Sequence, residues 1–133
     1  MRMQIRTIQI AALLGGLAVA LGAFGAHSLK PRLSEDMLLI FETGVRYHFY
    51  HALALLALGL ASTRLWQSPW ATRCCTLWTL GITIFSGSLY LLAITGVKKL
   101  GAITPVGGVA FILGWICLAL AASSLRADSA ESG

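Results

Sequence analysis

The stretch FETGVRYHFYHALALLALGLAST (residues 41–63) decides the fold. Its second half is an apolar run of the kind that enters a lipid bilayer. Its first half crowds Glu42, Arg46, His48 and His51, with Tyr47 and Tyr50, against the mouth of that run. Such groups are scarce in a chain that is 57% hydrophobic and 11% charged. Without its charged residues the stretch offers only the 17 residues 47–63 as a span, whereas crossing about 30 Å of hydrocarbon takes roughly 20 helical residues. The span therefore has to start near Thr43. That places Arg46 about one turn inside the helix, at the headgroup boundary. An arginine at the bilayer centre costs about 3 kcal/mol or more, but near the interface its side chain can reach the headgroups.

The rest of the chain sets the class. Soluble domains carry about 25% charged residues, and disordered chains are polar and charge-rich. Neither fits a mean hydropathy of +0.79. Three further stretches are uncharged and long enough to span: residues 7–26, 74–97 and 100–125, of 20, 24 and 26 residues. The expected fold is an all-α membrane protein. Four transmembrane helices form an up-down-up-down bundle over residues 1–126, followed by a polar, disordered tail at 127–133. Arg2 and Arg6 ahead of an apolar run resemble a signal peptide, but the run exceeds a signal core of about 7–15 residues. It is therefore read as a retained helix.

Local signals place the elements. Pro31 stops the first helix. Ser34 is a candidate N-cap, with Glu35 and Asp36 favouring the helix dipole. A short amphipathic helix over 35–44 then leads into the second span. Trp66, Pro69 and Trp70 in a loop over 64–73 read as an interfacial aromatic belt, with Tyr47 and Tyr50 at the opposite interface. Thr104-Pro105 is a start signal for the last helix. Small residues recur every seven positions: Gly15 and Gly22; Cys74, Gly81, Ser88 and Thr95; Gly107, Gly114 and Ala121. A heptad repeat keeps each set on one stripe, and small residues let helix backbones approach in lipid. These stripes are expected to face inward.

The net charge of +5 is spread between the spans in ones and twos, as loop charges are. No nucleic-acid partner is expected, and anionic lipid headgroups are the simpler one. Five Lys and Arg fall on each side of the membrane. Setting aside Arg46 as a helix residue gives five against four, which favours cytoplasmic termini. Cys74, Cys75 and Cys117 form no framework and no metal-ligand spacing, and act as small apolar residues.

Topology puts His27, Glu42, Arg46, His48, His51, Tyr90 and Thr104 in one leaflet, with Ser86 nearer the midplane. These eight are the candidate ligand-binding residues, and they are expected to converge on one end of the bundle. At 100° per residue Glu42, Arg46 and Phe49 share one face of their helix. Glu42 and Arg46 are spaced for an i,i+4 ion pair. Gly44, His48 and His51 lie on the opposite face, where a neighbouring helix can pass close. Two histidines at i,i+3 supply at most two metal ligands, and there is no Glu-x-x-His of the di-iron type. No nucleophile elbow is present. No metal, cofactor or catalytic residue is expected.

The segments ALGAFGAH (20–27), FETGVRYHFYHALALL (41–56), FSGSLYLLAITG (85–96) and TPVGGVAFILGW (104–115) resemble the YgdD-like small membrane proteins, the family with domain of unknown function 423. The resemblance covers nearly the whole chain in order. It implies a four-span protein, in the inner membrane of a bacterium, and no established activity. The leading expectation is a non-enzymatic accessory or assembly protein, or a subunit of a larger complex. Its partners would be the lipid bilayer, other membrane subunits or further copies of itself. The alternative is a binding site at the polar end for a lipid headgroup, quinone or other amphipathic molecule. The third reading is an oligomeric transporter or channel.

Overall fold

A computed structural model describes the backbone of residues 1–131 and the side chains of residues 1–125. It is helical throughout, with four long helices: α1 (Arg2–Leu29), α2 (Glu35–Leu60), α3 (Pro69–Thr95) and α4 (Thr104–Glu131). Three segments are long and apolar enough to cross a membrane: Arg2–Leu29, Pro69–Thr95 and Lys98–Leu125. α2 falls outside that set because Arg46, His48 and His51 depress its hydropathy. The polar tail expected over 127–133 lies outside the described residues, apart from the helical backbone as far as Glu131.

Sequence-local chemistry accounts for the helix ends. The Ser34 hydroxyl accepts from the Met37 N–H at 3.4 Å, capping α2 as expected. Gly96 takes a left-handed conformation, φ 70°, and its N–H closes α3 on the Leu92 carbonyl at 2.9 Å. A glycine reaches that conformation without a Cβ penalty. Two expectations need correction. The amphipathic segment 35–44 is no separate helix. It is the first ten residues of α2, because Phe41 and Gly44 pack into the interior and carry the helix unbroken into the apolar run. The loop expected over 64–73 is also shorter, since Pro69 occupies the first turn of α3 and draws Trp70 and Arg73 onto that helix. The Arg73 guanidinium lies over the Trp70 ring at 4.4 Å.

Two turns widen to π geometry, Gly25–Leu29 at the end of α1 and Ile82–Ser86 within α3. Single π turns of this kind accumulate at functional sites in helices.

Small residues set the packing. Ile8 lies against Gly59, Gly15 against Ala52, Gly22 against Val45 and Gly25 against Phe41. Seven residues up α1 are seven down α2, so the pair is antiparallel in a heptad register. α3 and α4 repeat the device. Trp78 lies against Gly114, Gly81 against Phe111 and Phe85 against Gly107, with Ser88 meeting Thr104 at the far end. These two pairs are the most densely packed in the molecule, and α2 joins them by packing on α3 as well. Thr95, expected on the inward stripe of α3, is exposed instead, because the helix has by then passed its last packing partner.

The interior has two apolar parts. The larger surrounds Leu55, Cys74, Trp78 and Phe111; the smaller holds Leu29, Phe41 and Ala93 beneath the α1–α2 turn. The buried polar residues are Thr7, His48, His51, Ser68, Ser86 and Ser88.

Candidate functional site

α2 delivers most of the candidate residues, and its two faces have different fates. On the inner face Gly44 lets α3 close in: a Cβ there would meet the Tyr90 ring at 2.8 Å. The Tyr90 hydroxyl in turn lies 3.1 Å from His48 Nδ1. His48 is 2% exposed, and its Nε2 has no hydrogen-bond partner.

One turn deeper, His51 stacks on Phe111 with ring centres 3.6 Å apart. Its two nitrogens are both used. Trp115 donates its indole N–H to His51 Nε2 at 3.2 Å, and Nδ1 lies 2.9 Å from the Tyr47 carbonyl. The first bond makes Nε2 an acceptor, so Nδ1 carries the proton and donates to Tyr47. His51 is therefore a neutral imidazole joining α2 to α4. The same role falls to Thr104, whose hydroxyl shares a 2.7 Å hydrogen bond with Ser88. Ser86 is fully buried and its hydroxyl is unpartnered.

The outer face of α2 carries Glu42 and Arg46. Both are exposed, and they form no ion pair with each other. The expected i,i+4 bridge is not made. Both side chains instead line a lateral groove of about 480 Å³ between α1 and α2. Ala18, Val19, Gly22 and Ala23 form its α1 wall; Phe41, Val45, Phe49 and Tyr50 complete its α2 wall. The groove exists because Gly22 and Ala23 offer no bulk opposite the long side chains of α2.

The eight candidates thus do not converge on one site. His48, His51, Ser86, Tyr90 and Thr104 turn inward, where most are joined to a neighbouring helix. Glu42 and Arg46 turn outward to the groove. His27 sits exposed on the π turn of α1 and is not among the residues lining the groove. The helical wheel separates the faces correctly, but leaflet membership cannot say which residues meet. Sequence reasoning missed Trp115 and Phe111, the two α4 residues that hold His51. Their i,i+4 spacing, with Trp115 next to Gly114 of the glycine stripe, was the available signal. Among the described residues no three His, Cys, Asp or Glu side chains gather as a metal site would need.

Residues 21–108 match a family described as a protein of unknown function (DUF423). The chain belongs to that family. It is 48% identical over 106 residues to the UPF0382 membrane protein YwdK of Bacillus subtilis, covering 80% of this chain and 86% of that one. It is 49% identical over 117 residues to a UPF0382 membrane protein of Staphylococcus epidermidis, covering 86% and 92%. A UPF0382 membrane protein of Haemophilus influenzae is 40% identical over 117 residues, covering 88% and 93%. No solved structure matches the chain. The matched residues include both walls of the groove from Gly22 onward, as well as Tyr90 and Thr104.

Proposed function

We propose that this is a non-enzymatic integral membrane protein that crosses the bacterial inner membrane four times, with both termini in the cytoplasm. It holds an amphipathic molecule in the groove between α1 and α2, in an accessory role to other membrane components. The observation that carries this reading is the groove itself. It is a lateral, lipid-accessible cleft with apolar walls, and Glu42 and Arg46 stand unpaired at its mouth. An apolar cleft with a few placed polar groups is the usual form of a small-molecule site.

Four spans follow if α2 is inserted along with its neighbours. Its buried histidines hydrogen-bond to α3 and α4 and so need not face lipid. Its one arginine is exposed on the groove side of α2, from where the long side chain can carry the guanidinium toward headgroups. The transporter reading has less support. Beneath Ser86 the interior is dominated by the apolar cluster of Leu55, Trp78, Ile82 and Phe111, which favours a sealed far half.

The test is to fill the groove. Ala23 is exposed and lines it, so Ala23→Trp blocks the cleft without entering the interior. Val19→Phe is a second block, deeper in the same cleft. Native mass spectrometry of the protein extracted in mild detergent should show a retained lipid or quinone adduct. Both variants, folded by circular dichroism, should lose it. Equal adduct on wild type and both variants would refute the groove as the site.

A further inference from the structure

The groove has an internal order that narrows its occupant. Glu42, Arg46, Phe49 and Tyr50 succeed one another along α2 from its N-terminal end. At about 1.5 Å per residue, Glu42 lies roughly 6 Å, a little over one turn, nearer the headgroup side than Arg46. Phe49 and Tyr50 lie a further turn toward the bilayer interior. On the antiparallel α1, Gly25 stands level with Phe41 and Gly22 level with Val45, so Ala18 and Val19 line the deep end. From mouth to depth the lining therefore reads anion, cation, amphipathic ring, hydrocarbon.

A glycerophospholipid with an amino headgroup carries the complementary sequence. Its ammonium is outermost, its phosphate comes next, its glycerol esters follow and its acyl chains are deepest. Resting on the groove as the site, we propose that its occupant is a phospholipid with a zwitterionic primary-amine headgroup of the phosphatidylethanolamine type. Arg46 receives the phosphate, Glu42 the ammonium and Tyr50 the ester level, while Val19, Val45 and Phe49 flank an acyl chain.

Two features favour this occupant over other lipids. Glu42 and Arg46 are spaced to pair with each other and do not, so each keeps its charge for a ligand. An anionic headgroup without an amine would satisfy Arg46 but bring no cation to Glu42. A choline headgroup offers no N–H to a carboxylate, and it is bound by aromatic cages. Here Phe49 and Tyr50 lie too deep to surround it, and Phe41 alone is level with Glu42, one ring where a cage takes several.

The experiment reads competition in native mass spectra. Wild-type protein is exchanged into mixed micelles holding equal amounts of phosphatidylethanolamine, phosphatidylglycerol and phosphatidylcholine with identical chains. The ethanolamine lipid should be enriched roughly three- to tenfold over each of the others, the scale of one partly screened, charge-assisted contact. Glu42→Gln should bring the ethanolamine-to-glycerol ratio to about one while total occupancy persists. Arg46→Gln should lower all three lipids together. Wild type that takes the glycerol lipid equally or better, or Glu42→Gln that keeps the wild-type ratio, overturns the headgroup assignment alone. Lipid adducts indifferent to Ala23→Trp, or none at all, overturn the groove reading as well.

Discussion

Replacing Gly107 by alanine tests whether backbone contact across the α3–α4 seam holds the bundle together. A Cβ on Gly107 would land on the Phe85 backbone nitrogen and lie 2.7 Å from the Phe85 Cα and Cβ. These are parts of a neighbouring helix and not the end of a flexible side chain, so the helices must move apart. Bringing the nearest atom, the Phe85 nitrogen, to an ordinary contact takes a separation of roughly 1 Å, and a gap of that size forfeits about half of the local dispersion energy. The Ser88–Thr104 hydrogen bond, 2.7 Å long and one turn away, would stretch with it, at a cost of about 0.6 kcal/mol. Overpacking of this kind costs about 1–3 kcal/mol, against a helix gain of up to about 1 kcal/mol from removing a glycine.

Gly16 supplies the control, because a Cβ there meets nothing within 4 Å. Gly16→Ala keeps the helix gain and none of the cost. The helix gain is common to both variants and cancels, so they should differ by the overpacking cost, about 1–3 kcal/mol. Unfolding by sodium dodecyl sulfate in mixed micelles, followed by circular dichroism, measures the difference. If Gly107→Ala unfolds at the same denaturant fraction as Gly16→Ala, close backbone approach is not what binds α3 to α4.

Two further substitutions examine the inward-facing residues as links between helices. Tyr90→Phe keeps the ring beside Gly44 but strips His48 of its hydroxyl partner. It should cost about 0.6–1.7 kcal/mol in the same titration, and an unchanged midpoint would mean that the 3.1 Å contact contributes nothing. His51→Phe retains stacking on Phe111 but leaves the Trp115 indole N–H without its acceptor, whereas His51→Ala also empties the stacked position. The expected order is wild type, then phenylalanine, then alanine, with the alanine variant losing about 2–4 kcal/mol. Equal stability of the two variants would show that stacking is idle there.

Much of the helix packing was legible because its signal is local. Gly81, Gly107, Gly114 and Ala121 mark the α3–α4 seam, as their heptad spacing implies, since close backbone approach requires small residues in register on both partners. Ser34 was readable as a cap for a similar reason, because its partner is three residues away. The opposition of Gly44, His48 and His51 to Glu42 and Arg46 needed only the helical repeat. The pairings across helices were not legible. Whether His51 meets Trp115 or Ser86 depends on rotations and crossing angles that no single helix encodes. The π turn at Ile82–Ser86 adds to this by displacing α3 within its own register. The ion pair expected between Glu42 and Arg46 failed on a different ground. Spacing permits that contact, but the groove beside it offers each side chain somewhere else to go.

The helix with the least claim to enter a membrane by itself is the one that the other three depend on. α2 pairs with α1 along its length, receives Tyr90 from α3 and is reached by Trp115 from α4. Its hydropathy falls below that of its three partners. If α2 crosses the bilayer as proposed, its delivery there during biosynthesis rests on company. On that reading α1, linked to α2 by a short connection, would present Gly15, Gly22 and Gly25 as a ready track, and the two would enter as one hairpin. Loss of that track would leave α2 outside the membrane and α3 without its cross-bracing, a failure of insertion before any failure of binding.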